Sequence, residues 1–241
     1  MLWLDDLVSL AHECLMADGA AREVLYGRGV SDSQMRTFRL GSLGKKLPSL
    51  PEEATDFIKW YGGVLNASTY VFPLTTPKGV IGGCQFKARD RKIYQDFFLP
   101  GITDPVLFGL HETVSSLWET ETAWLVEGVF DFFPIQRHYP SVLPVLTDKV
   151  TDSLLRFLKR FVRKVWVGFD MDTAGRRGAY TFKREHFQDF SIDVVVYPRI
   201  FAPGSMRPVK DVGELWEVRG DPIIIDLVKS VVTSHTEFLN A

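Results

Sequence analysis

Hydrophobic residues recur at helical spacing from Leu2 to Met16, which predicts an amphipathic helix with Cys14 on its packed side. The stretch VSDSQMRTF carries a capping box, Ser31 to Gln34, and predicts a short helix. LPEEATDFIKWYGG opens on a proline and acids and closes on Gly62-Gly63, the polarity of a helix. The period then changes. TYVFPL and GVIGGCQFKA are rich in β-formers and are separated by TTPK, which predicts a hairpin. PVLFGLHETVSSLWE returns to helix.

From Thr122 short apolar runs alternate with helical segments: AWLVE, SVLPVL, KVWVGFD and IDVVVYP are the runs, and DSLLRFLKRF and Ala174 to about Phe187 are two of the helices between them. That alternation predicts βαβ units and a parallel sheet. The expected fold class is therefore α/β. An α+β N-terminal lobe, helices plus a basic β-hairpin, spans residues 1–108. An α/β domain with a central, mostly parallel sheet spans 109–200, and a last acidic segment with short C-terminal helices spans 201–241.

Composition changes this picture little. Of the 241 residues 46% are hydrophobic and 24% charged, ordinary for a globular protein, and the net charge of −2 gives no global attraction to nucleic acid or membrane. No run of about 18 apolar residues predicts a membrane span. Acids near the N-terminus, Asp5 and Asp6, stand where a secretory signal would carry bases, so a cytoplasmic protein is expected. Two cysteines and five scattered histidines give no zinc spacing, and His12 to Cys14 is read as part of the first helix.

The chemistry concentrates in VWVGFDMDTAGRRGA, where an apolar run ends in Asp170 and Asp172 and a Gly-rich basic segment follows. Parallel sheets place ligand sites at the carboxyl ends of their strands. Asp170 and Asp172 would converge on one face if strand geometry persisted through Met171. Glu127 closes the neighbouring run in LVEGVFD, with Asp131 one helical turn on, and VKDVGELW adds Lys210, Asp211 and Glu214. Crowded carboxylates repel unless a cation neutralises them, and magnesium or manganese is suited to that task. The alternative is that these acids cap helices, Asp172 above all. A strand ending in DMDT also matches the nucleophile motif of haloacid-dehalogenase-type phosphatases, although that motif normally opens its domain.

VEGVFD, FDMDTAGRRGA and VKDVGELW, in that order, resemble the Toprim domain of primases, topoisomerases and several nucleases. AREVLYGRGVSDSQMRTFRLG, YVFPLTTPKGVIGGCQFKARD and KIYQDFFLPGITDPVLFGLHE are similar to the segments that precede Toprim in DnaG-type primases, so the resemblance runs over residues 20 to 215 or so and points to a divergent phage or plasmid primase. KDVGE departs from the family's D-P-D, which leaves Asp211 and Glu214 open.

The resemblance implies template-directed synthesis of short RNA primers on single-stranded DNA by metal-dependent nucleotidyl transfer from nucleoside triphosphates. Glu127, Asp170 and Asp172 would be catalytic and, with Asp211, hold the metal. Asp131 and Glu214 would support them, while Arg176 and Lys210 would meet nucleotide phosphates. Ser31 to Gln95 carries ten lysines and arginines against five acids. From this stretch Lys45, Lys46, Lys87, Arg89, Arg91 and Lys92 are expected to meet template phosphates. RFLKRFVRK is read mainly as a solvated helix face. The quoted residues include neither the family's zinc ribbon nor its helicase-binding domain, so a helicase or a zinc-ribbon protein is an expected partner. Another Toprim enzyme, such as a metal-dependent nuclease, and a non-catalytic replication scaffold are the alternatives.

Overall fold

The structure, a computed structural model, describes residues 2–44, 47–64, 67–146 and 150–239. The chain divides into two compact units, Met1–Tyr26 with Ser31–Glu112, and Gly27–Val30 with Thr113–Ala241.

The first unit begins with three helices, α1 (Leu2–Ala17), α2 (Gly19–Tyr26) and α3 (Asp32–Thr37). The Ser31–Gln34 capping box forms, with the Ser31 hydroxyl accepting from the Gln34 N–H. A five-stranded antiparallel sheet follows: β1 (Gly41–Leu43), β2 (Thr69–Thr75), β3 (Ile81–Ala88), β4 (Tyr94–Phe98) and β5 (Leu107–Phe108), with helix α4 (Thr55–Val64) inserted between β1 and β2. The predicted hairpin is β2–β3, in which Val71 faces Phe86. Strands β1, β4 and β5 carry no alternating pattern of their own. β5 occupies the start of a stretch whose apolar spacing predicts helix, because Leu107 and Phe108 pair with Thr75 and Leu74 of β2.

α1 packs on this sheet through Leu4, Leu7, Val8 and Ala11. A Cβ on Gly41 would lie 2.6 Å from that of Ala11, so the helix reaches β1 only because residue 41 is glycine. Cys14 lies beside this buried stripe and is exposed, contrary to the expectation that it packs inside; Leu15 takes the inward position. Cys84 is buried in β3, and both thiols are free.

Phe57 of α4 is the hub of the core. Its ring lies 5.0 to 5.9 Å from those of Trp3, Trp60, Tyr61, Phe86 and Phe97.

The second unit starts in helix α5 (Leu110–Thr120), whose first residues belong to the first unit. It continues as β6 (Thr122–Val126), α6 (Val129–Gln136), β7 (Val142–Pro144), α7 (Asp152–Leu158), β8 (Lys164–Gly168), α8 (Thr173–His186), β9 (Ser191–Val194), α9 (Val212–Arg219) and α10 (Asp221–Leu239). The four strands form a wholly parallel sheet in the order β7-β6-β8-β9. Strands β6, β7 and β8 are buried on both faces, as such a sheet requires, whereas β9 buries Ile192 and leaves Ser191 and Asp193 exposed. From β6 the chain crosses outward to β7, and from β8 it crosses the other way to β9. The direction reverses between β6 and β8, and at such a switch point the loops diverge and open a crevice at the strand ends. No helix among the described residues is long and apolar enough to cross a membrane.

Truncating Phe57 removes the ring on which five aromatic neighbours converge. Phe57→Ala is expected to destabilise the first unit by about 3–5 kcal/mol, read as a shift in the urea unfolding transition. A shift under 1 kcal/mol or so would place the core elsewhere.

Candidate active site

Register brings the first two acids together. Val126 pairs with Gly168, so Glu127 and Phe169 leave the sheet side by side. The Asp170 N–H then donates to Glu127 Oε1 at 3.1 Å. Strand geometry does not persist through Met171: β8 ends at Gly168, and Asp172 is the N-cap of α8, its Oδ1 accepting the N–H groups of Ala174 and Gly175 at 3.0 Å. Asp172 is thus placed by helix capping and not by the pleat. A Cβ on Gly175 would lie 2.3 Å from the Asp170 carbonyl oxygen and 2.5 Å from Glu127 Oε1, so this turn closes only over glycine. The third segment is tied on by the Met171 N–H, which donates to the Lys210 carbonyl at 2.6 Å. Asp211 then caps α9, accepting the Glu214 N–H at 2.7 Å.

The acids do not share one role. Asp131 is 8% exposed, and both its oxygens serve the backbone: Oδ2 accepts from the Gly128 N–H at 3.1 Å, and Oδ1 from the Gly213 N–H at 2.9 Å. It staples the β6–α6 turn to the start of α9. Burial, reinforced by Asp211 and Asp170, holds its pKa well above the ordinary carboxylate range. Glu214 turns toward Arg207, which it binds through both oxygens at 2.7 and 3.0 Å, and also accepts from the Lys210 N–H at 3.0 Å. Burial works against ionisation there, but Arg207 and Lys210 together outweigh it and lower the Glu214 pKa. Lys210 extends its ammonium to Asp170 Oδ2 and, at 3.4 Å, to Asp211 Oδ2. Burial disfavours that charge, yet the two carboxylates raise the Lys210 pKa above its ordinary value.

Glu127 is pushed up to about 7, first by burial and then by the negative charge of Asp170. Asp170 is raised as well, again chiefly by burial, with Asp211 and Asp172 adding to it and Lys210 opposing. Among the described residues, Glu127 Oε2, Asp170 Oδ1 and Asp172 Oδ2 carry no hydrogen bond. No three acid, histidine or cysteine side chains among the described residues converge into a ready-made metal cage. The donor set nevertheless fits magnesium or manganese. Such an ion is held through one or two carboxylates and completes its shell with water and substrate phosphates.

Arg176 and Arg177 are exposed on the first turns of α8. On the hairpin of the first unit, Arg89 is engaged by Asp18 at 2.8 Å and Ser42 at 3.4 Å and stacks over Tyr70, a role internal to the unit. Lys87 donates to the Ala88 carbonyl at 3.0 Å and sits over Tyr94. Arg91 and Lys92 are exposed in the β3–β4 turn, with Arg91 3.8 Å from Asp90. Lys45 and Lys46 lie outside the described residues. Sequence reasoning missed Arg207, which reaches Glu214 seven residues on in α9, and Tyr197, whose buried hydroxyl donates to the Gly168 carbonyl under the strand end. Neither carries a local signal. Gly175 was visible only as part of the Ala-Gly pair.

Residues 124–200 match the Toprim-like family. Over 239 residues the chain is 26% identical to the DNA primase of Aquifex aeolicus, an alignment that covers 88% of this chain and 46% of the relative, so the chain spans about half of that protein's length. The crystal structure of the zinc-binding and RNA polymerase domains of the Aquifex aeolicus primase superposes on 95% of this chain and 60% of that one, with a TM-score of 0.71 and 21% identity. A DnaG primase catalytic domain bound to single-stranded DNA gives 0.71 and 19%, covering 95% and 80%. The fold is that of the DnaG primase catalytic core.

Folding favours the protonated form of Glu127, because its pKa rises from 4.5 to about 7. The stability this contributes is complete below about pH 4.5 and is lost as the pH rises to about 7. In chelator, the melting temperature should fall across that window, and Glu127→Gln should flatten the fall; an equal slope in the variant would remove Glu127 as its source. Gly175→Ala should cost about 1–3 kcal/mol from overpacking, read by thermal unfolding. A neutral outcome would mean that the turn can open.

Proposed function

We propose that the chain is the catalytic core of a DnaG-type primase of the bacterial and phage kind, acting in the cytoplasm. It makes short RNA primers on single-stranded DNA from nucleoside triphosphates. One observation carries this reading. Three acidic segments meet at the β6/β8 switch point of a Toprim-like unit, within a chain whose fold follows DnaG catalytic cores over 95% of its length.

Glu127, Asp170 and Asp172, with Asp211 beside them, would hold magnesium or manganese. A divalent ion so held supplies Lewis acidity to the α-phosphate and offsets charge on the attacking and leaving oxygens. The protein's own groups do the rest. The N–H of Asp170 fixes Glu127 Oε1 and leaves Oε2 available to the ion. The α8 cap fixes Asp172 so that its second oxygen remains available. Arg176, exposed on the first turn of α8, meets the triphosphate. Arg91 and Lys92 contact template phosphates without reading sequence. Arg89 instead keeps the hairpin in place through Asp18.

The DnaG domain whose structure was solved with single-stranded DNA supports the choice of template. A helicase or a zinc-ribbon protein would hold the template near the site and raise its effective concentration.

The test is incubation with single-stranded DNA, nucleoside triphosphates and magnesium or manganese, with products resolved on a gel. Short oligoribonucleotides are expected, and Asp170→Asn should reduce them on the order of a hundredfold or more without lowering the melting temperature. Cleaved DNA in place of oligoribonucleotides would identify a nuclease. Full synthesis by Asp170→Asn would remove the acid cluster from the chemistry.

A further inference from the structure

We propose that Lys210 is a tethered competitor for the divalent ion: its ammonium bridges Asp170 and Asp211 in the resting protein and must swing away when the ion binds. The inference rests on reading the acid cluster as a metal centre, and it assigns Lys210 a task other than phosphate contact.

The geometry carries it. The backbone of Lys210 is fixed on both sides, its carbonyl accepting from the Met171 N–H at 2.6 Å and its N–H donating to Glu214 Oε2 at 3.0 Å. Its stem therefore starts from a defined point between the two acidic segments. The ammonium binds Asp170 Oδ2 and lies 3.4 Å from Asp211 Oδ2. The other oxygen of Asp211 is spent on the α9 cap. An ion drawing on Asp211 must use the oxygen beside the ammonium, and one drawing on the open oxygen of Asp170 sits on the same carboxylate that the ammonium binds. Two cations a few ångströms apart in a partly buried site repel strongly. A lysine is the side chain that can yield, being a compact charge on a flexible stem. Lys210 is 29% exposed, so it has a route to solvent. Glu214 cannot draw the ammonium aside, because Arg207 occupies it.

Removing the ammonium should strengthen metal binding, whereas loss of a phosphate contact would leave it unchanged. The experiment uses the full chain without nucleotide and titrates it with manganese, reading free ion by electron paramagnetic resonance and stability by thermal unfolding. Lys210→Met is expected to bind manganese about tenfold more tightly or better. It should also melt lower than wild type in chelator and recover more on adding manganese. Lys210→Arg, which keeps the charge and clamps both carboxylates with a fork, should bind manganese several-fold more weakly. That variant decides the matter if Lys210→Met does not fold without metal. Manganese binding by wild type that neither variant alters, or a weakening in Lys210→Met, overturns the role of Lys210 and leaves the metal centre standing. Failure of wild type and both variants to bind manganese overturns the metal centre and this inference together.

Discussion

The second unit is organised around one electrostatic difficulty, the gathering of carboxylates at the end of a buried parallel sheet. Glu127, Asp131, Asp170, Asp172 and Asp211 come from three separate segments, and burial makes the charge costly for Glu127, Asp131 and Asp170. The fold meets the difficulty mainly with backbone N–H groups. Gly128 and Gly213 donate to Asp131, Asp170 donates to Glu127, Ala174 and Gly175 donate to Asp172, and Glu214 donates to Asp211. These donors cannot titrate or diffuse away. They fix the carboxylates without cancelling their charge, and what remains is shared between Lys210 and protonation.

That arrangement also explains why acids of similar appearance differ in use. Asp131 has spent both oxygens on two turns, so its contribution is to hold α6 and α9 in register. Glu214 has spent both on Arg207 and the Lys210 N–H. Among the described residues, Glu127 and Asp172 each retain an oxygen free of hydrogen bonds, and Asp170 retains one beside its bond to Lys210. The proposed role in holding a hard cation rests on this unequal commitment and not on the number of acids.

The first unit rests on a different principle. Aromatic rings packed around Phe57 join α1 and α4 to an antiparallel sheet, and glycine at position 41 allows helix and strand to touch. Its basic hairpin divides its charges: Arg89 is turned inward to Asp18, while Arg91 and Lys92 are exposed at the turn.

By itself the sequence determined what depends on local order. The apolar runs mark the four parallel strands; for β6, β7 and β8 the reason is that a strand buried on both faces must be apolar along its length. Ser31 and Gln34 fix a helix start, because their bonds span three residues. The acids at strand ends and the Ala-Gly pair mark the candidate site for the same reason. What only the tertiary structure decided are the partnerships between distant segments. That Asp170 meets Lys210 forty residues on, that Glu214 answers Arg207, and that Cys14 faces solvent while Leu15 faces the core all depend on how elements pack. The short strands β1, β4 and β5 belong to the same class, since their stability comes from neighbours already in the sheet. A carboxylate's identity is written in the chain, but its protonation is set chiefly by the burial that folding imposes, and its free oxygens by the donors that folding brings to it.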